Sequence, residues 1–220
     1  MKNGWLQQLK NKKELKEPLC QPEVFKKVFF KAALEFYAQG EQDFEVDAQN
    51  KNFLGHFCRY WNREIAFEVM ENISLQKGLL VFGSYGTGKT SSFQIIQNMA
   101  KQYQILDLWF PSISTQEVVA RYNVENNKEQ VIQYYSKGTF LFDDLGAETA
   151  GNNIYQYGKE DIFIRILLNR YRNFESLGTK THITTNLNLD QLEQRYGRQL
   201  SDRFIKMFNL LKLDGPSRRR

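Results

Sequence analysis

The segment Gly83-Ser84-Tyr85-Gly86-Thr87-Gly88-Lys89-Thr90 constrains this chain more than any other. It fits the pattern Gly-x-x-x-x-Gly-Lys-Ser/Thr at every fixed position and adds a glycine at 86. Phosphate oxygens concentrate negative charge. A loop that wraps them must turn its backbone N–H groups inward, which demands small residues at several points. A helix starting near Gly88 adds the positive end of its dipole. Lys89 offers a point charge to the β- and γ-phosphates, and the Thr90 hydroxyl can hold Mg2+. With Ser91, these residues form the expected ATP site. The competing reading, a chance match in a glycine turn, is weakened by the strand pattern before the loop and the helix pattern after it.

Around this cradle the chain alternates between two periodicities. Gly78–Gly83 is a short apolar run closed by glycine and reads as a buried strand, followed by a helix over Thr90–Gln102. Further strands are predicted at Ile105–Phe110, Thr139–Phe142, His182–Thr185 and Asn209–Leu213. Helices are predicted at Thr115–Tyr122, Glu129–Ser136, Lys159–Phe174 and Leu189–Phe204, and a glycine- and asparagine-rich loop at Gly146–Gly158. Ahead of the cradle, apolar spacing predicts helices at Glu23–Gln39 and Asn52–Asn72, with a weak strand or extended linker at Asp43–Asp47. Strands alternating with helices define the fold class. It is α/β: a parallel five-stranded sheet in a three-layer P-loop NTPase fold, helices on both faces, with a short N-terminal helical region.

Two strand tips carry chemistry. Phe140-Leu141-Phe142-Asp143-Asp144 is an apolar strand ending in paired acids. Beside a phosphate cradle, Asp143 fits the acid that holds Mg2+, usually through water, and Asp144 the general base for the attacking water. Glu148 is an alternative base, and two acids closing an ordinary turn is the plain alternative. His182-Ile183-Thr184-Thr185-Asn186 suits a strand lying between the other two. Asn186 at its tip could bond the γ-phosphate or the attacking water, or simply begin a turn. Arg203 lies on a helical stretch, where it could reach a neighbouring subunit's nucleotide or pair with a surface acid such as Asp202.

Composition excludes more than it assigns. No apolar run approaches the roughly 20 residues that span a bilayer, and the start of the chain has no apolar signal core, so a cytoplasmic location is expected. Cys20 and Cys58 have no metal-type spacing and read as reduced thiols; the 2 histidines are too scattered for zinc. A net charge of +5 is compatible with nucleic-acid contact without requiring it. Lys10, Lys12, Lys13 and Lys16 cluster near the start and Arg218, Arg219 and Arg220 at the end, both readable as solvated termini.

Together the segments resemble the helicase-loader and transposition-helper branch of the AAA+ ATPases, the DnaC/IstB-like family. The resemblance rests on Lys77 to Thr90, Phe142-Asp143-Asp144-Leu145-Gly146 with Glu148, Thr181 to Asn186, Tyr196-Gly197, Asp202-Arg203 and Gly215 to Arg219. It implies Asn186 as first sensor and Arg203 as an arginine finger acting in trans. It makes Arg219, or failing that Arg218, the second sensor at the γ-phosphate. It also implies ATP-dependent homo-oligomerisation, a replicative helicase or a transposase as partner, and delivery onto single-stranded DNA. The expected division is residues 1–50 as a partner-binding region and 51–220 as the ATPase domain, its helical lid absent or truncated. A transposase helper, and an ATP-gated adaptor with incidental hydrolysis, are the readings that compete with a helicase loader.

Overall fold

The structure, a computed structural model, describes residues 17–69, 72–148 and 161–218. Five strands form one parallel sheet: β1 (Gly78–Phe82), β2 (Ser112–Ser114), β3 (Phe140–Asp143), β4 (Thr181–Thr185) and β5 (Phe208–Lys212). Their spatial order is β2-β3-β4-β1-β5. The strand ending at Thr185 thus lies between the cradle strand and the acidic strand, with Leu80 opposite Ile183 and Leu141 opposite His182.

Side chains alternate across the sheet, as the pleat requires. Leu79, Val81 and Leu141 enter one hydrophobic cluster, whereas Leu80, Phe140 and Phe142 enter the other. The first cluster is roofed by α1 (Pro22–Ala38), α2 (Lys51–Trp61) and α3 (Lys89–Gln102). The second is covered by α4 (Thr115–Val124), α5 (Lys128–Ser136), α6 (Ile162–Leu177), α7 (Leu189–Tyr196) and α8 (Arg198–Met207). Helix α1 commits one face to the core: Phe25, Phe29, Ala32 and Ala33 are buried, and Phe29 meets Phe57 edge-on at 6.0 Å. Burying a phenylalanine is worth about 2–3 kcal/mol, so this helix is anchored to the sheet and the helices beside it.

Polar residues in the buried strand β4 are all partnered. His182 sits among Tyr60, Trp61, Phe93 and Phe110. Its Nδ1 accepts the Leu79 N–H at 3.1 Å, and burial pushes its pKa well below the usual value, which keeps the ring neutral.

Three expectations are corrected. The strand predicted at Ile105–Phe110 is instead a 3-10 turn at Leu106–Leu108, and β2 begins only at Ser112. Leu108 and Phe110 are buried as a strand pattern would have them, but Leu106 is 85% exposed. Proline cannot donate to a ladder, and pairing with β3 starts just past Pro111, at Ser112 opposite Leu141. The helix predicted over Asn52–Asn72 breaks after Trp61 and resumes as a 3-10 helix at Ile65–Val69. Arg63 takes φ 61°, and the Asn62 amide is diverted to Cys20 O and Glu64 Oε1. The stretch Leu189–Phe204 is two helices, split at Gly197 with φ 86°. Of the two readings of Asp43–Asp47, the linker is what the structure shows, its end fixed by bonds between Asp47 and Asn50. The predicted helix start at Lys159 and most of the loop Gly146–Gly158 lie outside the described residues. Helix α6 itself is capped by Asp161, whose carboxylate accepts the Phe163 and Ile164 N–H groups.

No helix among the described residues is long and apolar enough to cross a membrane.

Candidate nucleotide site

Strand β1 delivers the chain into the loop Gly83–Gly88, and α3 starts at Lys89. Glycine is needed where the loop turns. Gly88 has φ 98°, and Gly86 has φ 72° with Ser217 packed so close that a Cβ would run into it. The extra glycine at 86 is therefore the point where the segment after β5 crosses the loop, and Arg218 N–H donates to Gly86 O at 2.8 Å there. A second tie fixes the loop's start: Asp214 accepts from the Ser84 N–H at 3.0 Å and from its hydroxyl. Those bonds hold the Asp214 carboxyl well below the usual range, with Lys212 adding to them. Thr87 closes the loop with its one hydroxyl proton shared between Ser84 O and Leu213 O.

The polar side chains converge on one cleft of about 560 Å³, lined by Tyr85 to Ser91, Asp144, Asn186 and Arg218 among others. Lys89 Nζ donates to Gly83 O at 2.9 Å, Ser84 O at 2.7 Å and Asn186 Oδ1 at 2.6 Å. Asn186 in turn donates from Nδ2 to Asp144 Oδ1 at 3.0 Å. Thr90 donates its hydroxyl proton to Asp143 Oδ1 at 2.7 Å, across 53 residues of sequence. Lys89, Thr90, Asp143, Asp144 and Asn186 are thus brought together. Burial raises the Asp143 pKa, partly offset by the hydroxyls of Thr184 and Thr90. Asp144 takes a left-handed backbone, φ 56°, which turns its carboxylate toward Asn186.

This donor set fits a magnesium–phosphate ligand. The Thr90 hydroxyl spends its proton on Asp143, which leaves its oxygen lone pairs for a hard cation, and a carboxylate stands next to it. A site of this kind takes its remaining ligands from phosphate and water. Accordingly, no cluster of three or more His, Cys, Asp or Glu able to hold a metal occurs among the described residues.

Other predicted residues lie elsewhere. Arg203 on α8 does not line the cleft; its guanidinium stacks over the Tyr171 ring at 5.0 Å, and no acid among the described residues pairs with it. Arg219 lies outside the described residues. Arg218 lines the cleft and is held by Asp47 at 2.6 Å. Glu148, the alternative base, is turned away and buried: it accepts from Gly146 N–H at 2.9 Å and from the Tyr196 hydroxyl, with Arg195 at 3.7 Å.

The residues that sequence reading missed come from the N-terminal side. A cavity of about 420 Å³ adjoins the cleft and shares Tyr37, Gln42, Thr87, Gly88 and Arg218 with it. Tyr37, the penultimate residue of α1, stacks on Phe44 at 5.7 Å, and its hydroxyl reaches toward Gly88. Nothing in the local pattern distinguishes Tyr37 from a core aromatic; only the fold places it over the cradle.

The sequence matches no protein-family model and no curated protein. Solved structures do match. The DnaC helicase loader aligns with a TM-score of 0.56 at 19% identity, over 84% of this chain and 98% of that one. DnaI gives 0.52 at 22% identity, over 79% of this chain and 89% of that one. The replication initiator DnaA bound to AMPPCP and single-stranded DNA gives 0.52 at 16% identity, over 79% of this chain and 49% of that one. At these identities the likeness establishes the fold, and the sheet order agrees with it: a three-layer P-loop NTPase fold of the AAA+ type.

Proposed function

We propose that this chain is an ATP-hydrolysing helicase loader of the DnaC/IstB-like branch, acting in DNA replication on single-stranded DNA from the cytoplasm. One observation carries the reading. Lys89, Asn186 and Asp144 form a continuous hydrogen-bonded series at the sheet tip beside the Thr90–Asp143 pair, in a fold shared with the solved chain of a helicase loader over 98% of that chain.

In this reading, the loop amides and Lys89 grip the phosphates, and Asp144 orients the attacking water and accepts its proton. Asn186 holds Asp144 and senses the γ-phosphate. Mg2+, held by Thr90 and Asp143, would neutralise charge developing on the β- and γ-oxygens. The cavity between Tyr37, Phe44 and Arg218 takes the base and ribose. Arg203, clear of its own cleft, acts on a neighbouring subunit's nucleotide, so turnover alone is slow and rises with assembly. Residues 51–220 supply the phosphate site, and residues 1–50 present the partner-binding surface while lending Tyr37 and Phe44 to the base cavity. The partner is a replicative helicase, and the second sensor at the γ-phosphate is Arg219 or, failing that, Arg218.

Two experiments test this. Inorganic tripolyphosphate engages the cradle alone, whereas ATP engages the cradle and the base cavity. Tyr37→Ala should weaken ATP about tenfold, the loss of one aromatic stacking surface, and leave tripolyphosphate binding unchanged. Equal loss of both ligands would place Tyr37's effect on the cradle instead.

Arg203→Ala should bind ATP normally and lose assembly-stimulated turnover by about a thousandfold. Mixing it with Lys89→Ala should restore part of the activity, because each variant supplies what the other lacks. A mixture as inactive as its components would argue against action in trans. With purified helicase and single-stranded DNA present, turnover that never exceeds the ATPase alone would favour an adaptor over a loader.

A further inference from the structure

A buried parallel strand is ordinarily built from Val, Ile and Leu, yet β4 reads Thr-His-Ile-Thr-Thr with every residue buried. An unbonded hydroxyl in such a place costs about 1–3 kcal/mol. Each therefore needs a partner that repays its burial, and the partners say what each threonine is for. Thr181 accepts from Arg170 at the far end of the sheet. Thr185 donates to Leu145 O and accepts from Leu187 N–H, shaping the turn after the strand. Thr184 differs, because both of its bonds go to the acid pair. Its hydroxyl donates to Asp143 Oδ1 at 2.6 Å and accepts the Asp144 N–H at 3.0 Å.

We infer that Thr184 is a positioning residue for the magnesium site, fixing the Asp143 carboxylate and the Asp144 backbone through one hydroxyl. The inference rests on the ATP–magnesium reading above. Asp143 Oδ1 accepts two hydrogen bonds, one from Thr90 and one from Thr184, which come from different elements. Thr90 belongs to the cradle helix and also faces the cation. Thr184 belongs to the central strand, is fully buried, and does not itself line the cleft. It therefore holds the carboxylate's orientation independently of the cradle. The same oxygen accepts from Asp144 at the residue where the backbone turns left-handed. One group thus sets both the direction of the metal-side acid and the turn that presents the neighbouring acid to Asn186. Partners of this kind behind a metal ligand typically contribute 10–100-fold to metal affinity.

The test separates magnesium from nucleotide. Binding of a fluorescent ATP analogue is measured with EDTA and with magnesium, and the ratio of the two affinities reports the metal site. Thr184→Val keeps shape and removes the hydroxyl. It should lower the magnesium-dependent ratio about tenfold while the magnesium-free affinity stays at the wild-type value. Thr184→Ser, which restores the hydroxyl, should recover the ratio. Thr184→Cys, a near-isostere with a weak donor, should fall between, and it carries the test if the valine variant does not fold. An unchanged ratio in Val and Cys variants overturns the inference. So does an equal loss with and without magnesium, the pattern of a purely structural role. A wild-type protein that binds no ATP, or binds it without regard to magnesium, would instead overturn the proposed function.

Discussion

Replacing Lys89 with alanine should reduce ATP affinity by about a hundredfold, with little loss of folding stability. The affinity estimate follows from what the ammonium group can offer. Charge-assisted bonds are worth about 1.5–3 kcal/mol, and roughly 1.4 kcal/mol is a factor of ten in affinity. The stability estimate follows from where the nitrogen sits. Lys89 Nζ bonds Gly83 O, Ser84 O and Asn186 Oδ1. Ser84 O keeps the Thr87 hydroxyl at 3.0 Å when the lysine is gone, and Asn186 keeps Asp144. The loop stays tied through Thr87 to Leu213 and through Ser84 to Asp214. The variant should therefore melt within a few degrees of the wild type and fail in calorimetric titration with ATP. It should lose tripolyphosphate equally, which separates it from Tyr37→Ala. Undiminished ATP affinity in a folded Lys89→Ala protein would contradict the cradle, whatever the loop's sequence.

What could be read beforehand was chemistry written in contiguous residues. The eight residues from Gly83 to Thr90 specify loop, charge and helix start together, and the strand before Asp143 announces itself by three apolar, buried positions followed by acids. The place of one strand was legible too, since the polar-tipped strand before Asn186 belongs between the cradle strand and the acidic strand. What stayed hidden depends on long-range pairing or on single residues with two plausible uses. Ile105–Phe110 alternates well enough for a strand, but the position of Pro111 and the register to β3 decide where the ladder starts. Asn62 and Gly197 interrupt helical patterns that apolar spacing alone would carry through. Glu148 has the chemistry of a base, and only the fold shows it committed to Tyr196 and Gly146. Tyr37 sits far from the cradle in sequence and next to it in space because α1 packs along α3.

The same fold separates the site from what holds its layers together, and Arg170 makes the separation measurable. In sequence it is one basic residue on an amphipathic helix. In the structure it is fully buried on α6, and no carboxylate among the described residues pairs with it. Its guanidinium donates instead to Thr181 Oγ1, Tyr135 O, Lys137 O, Gly138 O and Lys180 O, and lies 5.2 Å from the Phe142 ring. These groups belong to the end of α5, the approach to β3 and the start of β4, at the opposite end of the sheet from the cradle. Carbonyls ending a helix carry partial negative charge that favours a cation, which helps Arg170 remain protonated at neutral pH although burial lowers its pKa to about 9. Arg170→Met fills similar space and removes every donor, leaving the buried Tyr135 carbonyl and Thr181 hydroxyl without it at about 1–3 kcal/mol each, and three partly buried carbonyls short of a partner. The expected destabilisation is at least about 4 kcal/mol, or roughly 10 °C in melting temperature for a chain of this size. Arg170→Lys should recover little, because one ammonium cannot span five acceptors spread over three segments. If lysine restores most of the stability, charge rather than the fan of donors is what matters. Below its melting transition, either variant should bind ATP as the wild type does, since nothing at this end of the sheet touches Lys89, Asp143 or Asn186.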